Sequence, residues 1–509
     1  MRKSYHIITT IILHLFFICG IHAQMSPICP KREMRAVWLT TLSGLDWPRT
    51  KATSASTIEQ QKEELCAILD QLQSANFNAV VMQVRTRAAV LYSSMIEPWD
   101  VSLTGKYGKG PGYDPLAFAI DQCHKRGMQL HAWLVAIPGN KTTQSKAMGS
   151  MALEKRRPDL CLKTSEGYML NPGLKESAEY LASLCEEITR NYDVDGISLD
   201  YIRYPEKEIK FNDNNTYKKF AQQHQSLTDW RRDNISRCVK MVHDKVKAIK
   251  PWVALSCSPV GKYNDTKRYS SGGWNAYRAV AQDAKLWLKE GWMDFLMPMM
   301  YFRGNNYFPF ALDWQEESCS RHITPGLGVY LIDSNQKDWD RSIIESEIEF
   351  GRQHNLAGHV FFRSRFITNN TKGIYDLLKN DLYYTKALMP ALPMSNVDAP
   401  QPPTHGTIKE SPKGLTLSWQ PTSDECTYIV YRSNHYPVDT DKAANIYVNI
   451  RQTTIEIPTP YPLNIAPFFA VTAINRYGAE SKPLELNTQS EFIKVKSFIE
   501  EGSKNCHHK

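Results

Sequence analysis

The stretch Asp195 to Pro205 reads DGISLDYIRYP. Ile197 and Leu199 are apolar, and the Asp-Gly pair ahead of them is a turn signal that opens a buried strand. The strand runs straight into Asp200, Tyr201, Arg203 and Tyr204. A carboxyl that gives or takes a proton, a guanidinium that holds an anion and two phenols thus leave one apolar strand within five residues. In a parallel α/β barrel such groups belong at the C-terminal strand ends, where the loops form an open mouth. The plain alternative is a surface Asp/Arg pair that caps a loop.

The elements that would position these groups alternate along the chain. Apolar runs predict strands at Met34 to Leu39, Ala79 to Val84, Met128 to Val135, Asp195 to Asp200 and Trp252 to Cys257. Three more follow at Asp294 to Tyr301, Pro325 to Tyr330 and Gly358 to Phe362. Helical patterns separate them. Ser56-Thr57-Ile58-Glu59 reads as a capping box, and Asp114-Pro115 as an N-cap with proline in the first turn. Leu174 to Tyr192, Tyr277 to Glu290 and Ile343 to His354 read as further helices. Eight strands alternating with helices over residues 32–388 predict a TIM (β/α)8 barrel. A doubly wound open sheet would alternate too, but no glycine-rich phosphate loop follows an early strand, so a nucleotide site has no support. The second strand delivers Arg85 and Arg87 at its exit, and the third carries His131 and Trp133 on one face by period-two alternation. Both are placed at the mouth, with a satisfied core histidine as the other reading of His131.

After the prolines of Ala399 to Pro403 the pattern changes to short alternating strands, from Leu415 to Asn475. Residues 399–490 therefore predict a small all-β sandwich of immunoglobulin-like type, and 491–509 a tail whose Cys506, His507 and His508 are too few for a metal site.

The chain has 509 residues, 42% of them apolar and 22% charged, which suits two or three globular domains with ample core. Its 12 Trp and 25 Tyr suit an aromatic-lined cleft. Arg2 and Lys3, the apolar run Ile7 to Ile18 and the small-residue site ending at Ala23 predict a Sec signal over 1–23, with the mature chain in the periplasm or outside the cell. That run is short for a membrane span, and bulky Phe16-Phe17-Ile18 before Cys19 argues against lipidation. Without the signal's two cations the net charge of +8 falls to about +6, with no basic run fit for nucleic acid. The cysteines are scattered without C-x-x-C pairs, and Cys66, Cys123, Cys185 and Cys238 read as buried thiols.

Several motifs occur together in one order: Arg35-Ala36-Val37-Trp38, Asp46-Trp47-Pro48, Gln83-Val84-Arg85, Glu97-Pro98-Trp99, Tyr113-Asp114-Pro115, His131-Ala132-Trp133, Asn171-Pro172-Gly173 and Asp195 to Pro205. Over residues 32–370 the chain resembles the bacterial glycosyl hydrolase-like family ten, which implies an exported TIM-barrel glycosidase, some members acting on peptidoglycan strands already stripped of peptide. The tail domain resembles fibronectin type III, through Leu417-Ser418-Trp419 and Phe469 to Asn475, with Phe469 where a tyrosine is usual. Glycoside hydrolysis calls for two carboxyls across the bond. Asp200 is the first, as nucleophile or base, held ionised by Arg203 or Arg85. For the acid, Glu97 is preferred because Trp99 could shield it, with Asp46 as the other choice. Asp114 is better read as a cap, and Asp294 sits at the wrong strand end. The exit of the fifth strand, Cys257-Ser258-Pro259, holds no Glu. Arg85, Arg87 and Arg203 around one cleft suit an acidic, acetamido-bearing glycan; the alternative is an internal ion-pair network with Asp200 and Glu97. Tyr201, Tyr204, Trp47, Trp99 and Tyr301 are the candidate sugar platforms. No cofactor or metal is expected. A glycosidase for another polysaccharide, and an inactive glycan-binding barrel with the sandwich as envelope or glycan docking module, stay open.

Overall fold

A computed structural model describes residues 29–393, 396–411, 414–422, 425–458 and 468–486. The signal over 1–23 and the tail over 491–509 lie outside the described residues.

Six parallel strands lie side by side: β1 (Met34–Leu39), β2 (Ala79–Arg85), β3 (Gln129–Val135), β4 (Gly196–Asp200), β5 (Ala254–Cys257) and β6 (Phe295–Leu296). β7 comes in two pieces, His322–Ile323 beside β6 and Gly326–Leu327 beside β8 (Gly358–Phe362). β8 returns to β1. The two pieces of β7 close the ring, since Thr324 N–H donates to Leu296 O (2.9 Å), Gly326 N–H to Pro298 O (2.8 Å) and Val360 N–H to Pro325 O (3.0 Å). β6 is shorter than its apolar run predicts because Pro298 has no N–H for the ladder; Met299 then bridges back to Val260 and Gly326.

Alternation divides each strand between two cores. Ala36, Trp38, Val81, Trp133 and Met297 fill the inside of the ring. Val37, Leu39, Val80 and Met82 face the helices outside. There α1 (Ala55–Ser74) buries Leu65, Leu69 and Leu72, each contributing about 1.5–3 kcal/mol. Its cap lies earlier than the sequence pattern suggests: Ser54 accepts from Thr57 N–H, and Thr57 Oγ accepts from Ser54 N–H (2.8 Å). Asp114 caps α2 (Pro115–Lys125), accepting from Ala117 N–H at 3.0 Å. The helix expected over Tyr277 to Glu290 is broken into Ala276–Ala279 and Ala284–Lys289, with Asp283 capping the second.

The C-terminal part is two antiparallel sheets. One holds Thr404–Ser411, Gly414–Gln420 and Thr454–Pro458; the other holds Ile446–Ile450, Thr427–Ser433, Phe468–Ile474 and Leu484–Leu486. Leu417, Trp419, Val430, Phe469 and Val471 close the core between them. This sandwich sits under the closed, N-terminal end of the barrel. Asp193, just before β4, receives Arg451 (3.0 Å) and Arg476 from it, and Lys31 pairs with its Glu480 at 2.8 Å. Gly127 (φ +68°) lets barrel and sandwich touch, since a Cβ there would stand 2.7 Å from Asn449 O.

Among the described residues no two cysteines are bonded; Cys123, Cys185 and Cys238 are buried, whereas Cys66 is half-buried. No described helix is long and apolar enough to cross a membrane.

Candidate active site

Asp200 ends β4 and turns into the mouth of the ring. Its Oδ1 accepts from Tyr201 N–H (2.8 Å) and from the Ser258 hydroxyl (2.9 Å) at the exit of β5. Among the described residues Oδ2 accepts only from Trp133 Nε1–H, at a long 3.1 Å. Burial pushes the carboxyl above the usual range, and Ser258, Tyr201 N–H, Arg203 and Trp133 only partly offset it. The sequence predicts an aspartate held ionised; the structure gives one biased toward its protonated form, because its direct hydrogen-bond donors are neutral. Arg85 takes no part.

Glu97, the preferred acid, is enclosed elsewhere. Arg85 grips it through Nε (2.8 Å) and Nη2 (2.7 Å), the Tyr180 hydroxyl donates at 2.8 Å, and neither side chain reaches solvent. This is the internal pair that stood as the alternative, and it offers no carboxyl to a cleft. Trp99 packs its ring over Gly110 instead of shielding an open acid. Asp46 does lie at the mouth end, in the loop after β1. It accepts from Thr40 N–H (2.9 Å) and pairs with Arg363 at the exit of β8. Burial pushes its pKa up against the pull of Arg363. Gln83 fixes that loop by accepting from Thr41 and Leu42 N–H at 3.0 and 2.9 Å.

Trp133 and His131 share the inward face of β3, as alternation requires, but not the same depth. Parallel register sets Val135 beside Asp200 and His131 beside Gly196. With about 3.3 Å per residue, His131 lies on the order of 13 Å below Asp200. It is fully buried, edge-on to Phe295, bonded to Gln129 Oε1 at 3.1 Å, and burial lowers its pKa to about 4. Gly196 is required there, because a Cβ would fall 2.3 Å from the His131 ring. His131 is therefore floor packing, not a mouth residue.

Of the expected platforms, Trp47 is wholly buried, its Nε1–H donating to Gln61 O at 2.8 Å, so it is core. Tyr204 is buried too, its hydroxyl accepting from Asn234 Nδ2–H (3.2 Å). Tyr201 is open to solvent. Tyr301 is half-buried against Tyr330 and Phe362, and burial together with the Asp200 charge raises its pKa. Arg203 and Arg87 line the mouth beside Tyr201. Over them stands a three-stranded flap, Pro138–Lys141, Cys161–Lys163 and Gly167–Leu170, in the loop after β3; its Asn140 donates to Arg87 O at 2.8 Å.

Ser258 is a site residue that no sequence expectation names: the exit of the fifth strand lacks a Glu, and the serine there is the hydroxyl that holds Asp200. A cavity of about 570 Å3 lies away from this chemistry, between the barrel floor and the sandwich, lined by Asp195, His124, Arg451 and Arg476. Among the described residues no group of three His, Cys, Asp or Glu side chains could hold a metal ion.

The sequence matches the family described as "Glycosyl hydrolase-like 10" over residues 33–371. It is 31% identical to "Glycosyl hydrolase YngK" of Bacillus subtilis (strain 168) over 483 residues, 90% of this chain and 94% of that protein. It is 34% identical to "Glycosyl hydrolase DigH" of Escherichia coli (strain K12) over 291 residues, 53% of this chain and 66% of that one. Among solved structures, the PgaB (BpsB) glycoside hydrolase domain from Bordetella bronchiseptica aligns with a TM-score of 0.47 at 12% identity, over 68% of this chain and 98% of that one.

Proposed function

Since the chain belongs to the glycosyl hydrolase-like 10 family and is a glycoside hydrolase, we propose that it is exported and cleaves bacterial cell-wall glycan, namely peptidoglycan strands already stripped of peptide. The reading is carried by the state of Asp200: a carboxyl at the barrel mouth, raised by burial, with one oxygen left nearly free. Such a group is suited to act as general acid. Protonated Asp200 gives its proton to the glycosidic oxygen as the C1–O bond breaks, and the leaving sugar departs as an alcohol. Asp46 is the second carboxyl in this proposal, as base toward water or as nucleophile, where its ion pair with Arg363 opposes the upward push of burial. Tyr201 and Tyr301 supply ring faces for the sugars. The sandwich, held under the closed end, is proposed to dock the enzyme on envelope or glycan without covering the mouth.

Digestion of amidase-treated sacculi, read by mass spectrometry for new reducing ends, tests the reading. Release by the unmodified enzyme and none by Asp200→Asn upholds it. Binding without release by both would mean an inert glycan-binding barrel, and cleavage of other polysaccharides alone would displace the cell-wall substrate. Export is checked by sequencing the mature protein, which should begin at Gln24.

A further inference from the structure

Arg203 is only 4% exposed, yet among the described residues just one of its three nitrogens is engaged, Nη2 donating to Glu206 Oε1 at 2.7 Å, while Nε and Nη1 have no partner there. A buried guanidinium with idle donors carries a desolvation cost that an incoming acceptor relieves. Two rings beside it are open to solvent. The guanidinium carbon stands 4.6 Å from the centroid of Tyr201, which is 36% exposed, and 6.0 Å from that of Trp274, which is 40% exposed. Exposed aromatics flanking a buried cation are what a sugar carrying a charged substituent would meet: ring faces for its apolar side and a fork for its anion. Arg203 lines a small pocket of about 40 Å3 together with Arg87 and Lys141, the latter from the flap in the loop after β3. The acids of the same pocket are already engaged, Glu206 by Arg203 itself and Glu166 by Lys141 at 3.8 Å. What remains unmatched in the pocket is positive charge.

We propose that Arg203, with Arg87 beside it and Tyr201 and Trp274 at its flanks, forms a carboxylate subsite that makes the enzyme select glycans whose sugars bear an acid group. The inference rests on the mouth being the glycan site and names what that site reads. It also links recognition to chemistry. Arg203 acts on Asp200 three residues back, favouring the anion. A carboxylate docked on the guanidinium offsets that charge, so the acidic sugar favours the proton-bearing form of Asp200 that breaks the bond.

The test uses full-length Asp200→Asn protein, which holds glycan uncut, and two ligands: peptide-free peptidoglycan strands and the same strands with their carboxyls reduced to alcohols. Reduction should weaken binding about ten- to hundredfold, as for loss of a charge-assisted pair. Adding Arg203→Met should weaken the acid form alone, so that the two ligands then bind alike. Equal Kd for both ligands on the Asp200→Asn protein overturns the subsite. Should Arg203→Met not fold, Arg87→Met at the more open position takes its place, and the ligand comparison stands without any further variant. Binding of neither strand defeats the cell-wall reading instead. A uronic-acid polymer and its reduced form then decide the subsite alone, a preference for the acid upholding it and no preference overturning it.

Discussion

Asp195 stands just before β4 and Asp200 at its end, and their surroundings drive them in opposite directions. Asp195, at the floor, receives His124 Nε2 and Leu130 N–H, each at 2.8 Å, and these partners overcome burial and hold its pKa below the usual range. Asp200, at the mouth, accepts its hydrogen bonds from neutral donors, and burial pushes it up. Around Asp195 the charges are spent on one another: Asp193 takes two arginines, and Asp294 takes Lys247 at 2.7 Å. Around Asp200 an arginine keeps two idle nitrogens. Paired charge at the floor fixes the barrel and its sandwich; unspent charge at the mouth is held for a ligand. A stable scaffold and an unsatisfied site are thus one strand length apart.

The sharpest way to break this contrast is Asp200→Asn. Turnover should drop by about 10²–10⁴-fold, while the melting temperature holds or rises. The sign follows from linkage. A carboxyl whose folded pKa lies above its unfolded value makes the folded state lose stability as pH rises through that window, and the amide removes the cost. Reducing-end assays and calorimetry on one preparation decide it; a destabilised variant would place Asp200 with the structural charges. Next in size is Glu97→Gln. Leaving Arg85 buried without its counter-ion should cost about 3–5 kcal/mol in denaturant titrations, with KM of the folded fraction unchanged. A KM effect larger than the stability effect would return Glu97 to the cleft.

Asp195→Asn should cost about 1–3 kcal/mol and spare kcat. Its folded pKa is depressed, so its contribution is present above the unfolded carboxyl value and lost as pH falls through the folded one. The unmodified protein should accordingly weaken on acidification more steeply than the variant, in melts taken across the acidic range. A milder probe of the mouth is Ser258→Ala. Removing a donor to the ionised form should move the basic limb of the kcat/KM profile to higher pH by less than about one unit. An unmoved limb would show that a different acid sets it. Smallest of all, Asp193→Ala removes a half-exposed carboxylate from the sandwich contact, worth about 0–1 kcal/mol. Faster proteolysis in the proline linker at unchanged kcat would register it.

How far these regions could be read in advance follows from what each depends on. An apolar run ending in polar residues is a local pattern, so the strands, their exits and Asp200 were visible. Asp114 beside Pro115 was visible as a cap for the same reason. Glu97 was misread because its partner is chosen in three dimensions: Arg85 and Tyr180 come from other elements, and nothing near Glu97 in the chain announces an enclosure. His131 shows a subtler limit. Period-two spacing gave its face correctly but carries no depth, and two residues along a strand move a side chain by about 7 Å. Trp47 follows a strand just as Tyr201 does, yet one is core and the other open, since burial is settled by the helix that happens to lie above. Ser258 had the most available signal. The exit has no second carboxyl, but its hydroxyl tunes the first.

The attachment of the sandwich beneath the floor sets a direction. If the sandwich docks as proposed, the surface it holds lies behind the enzyme, and the mouth looks the opposite way, as a lamp on a bracket faces out from its wall. A polymer in front could be worked on while the grip behind is kept, and residence at a location would not compete with turnover.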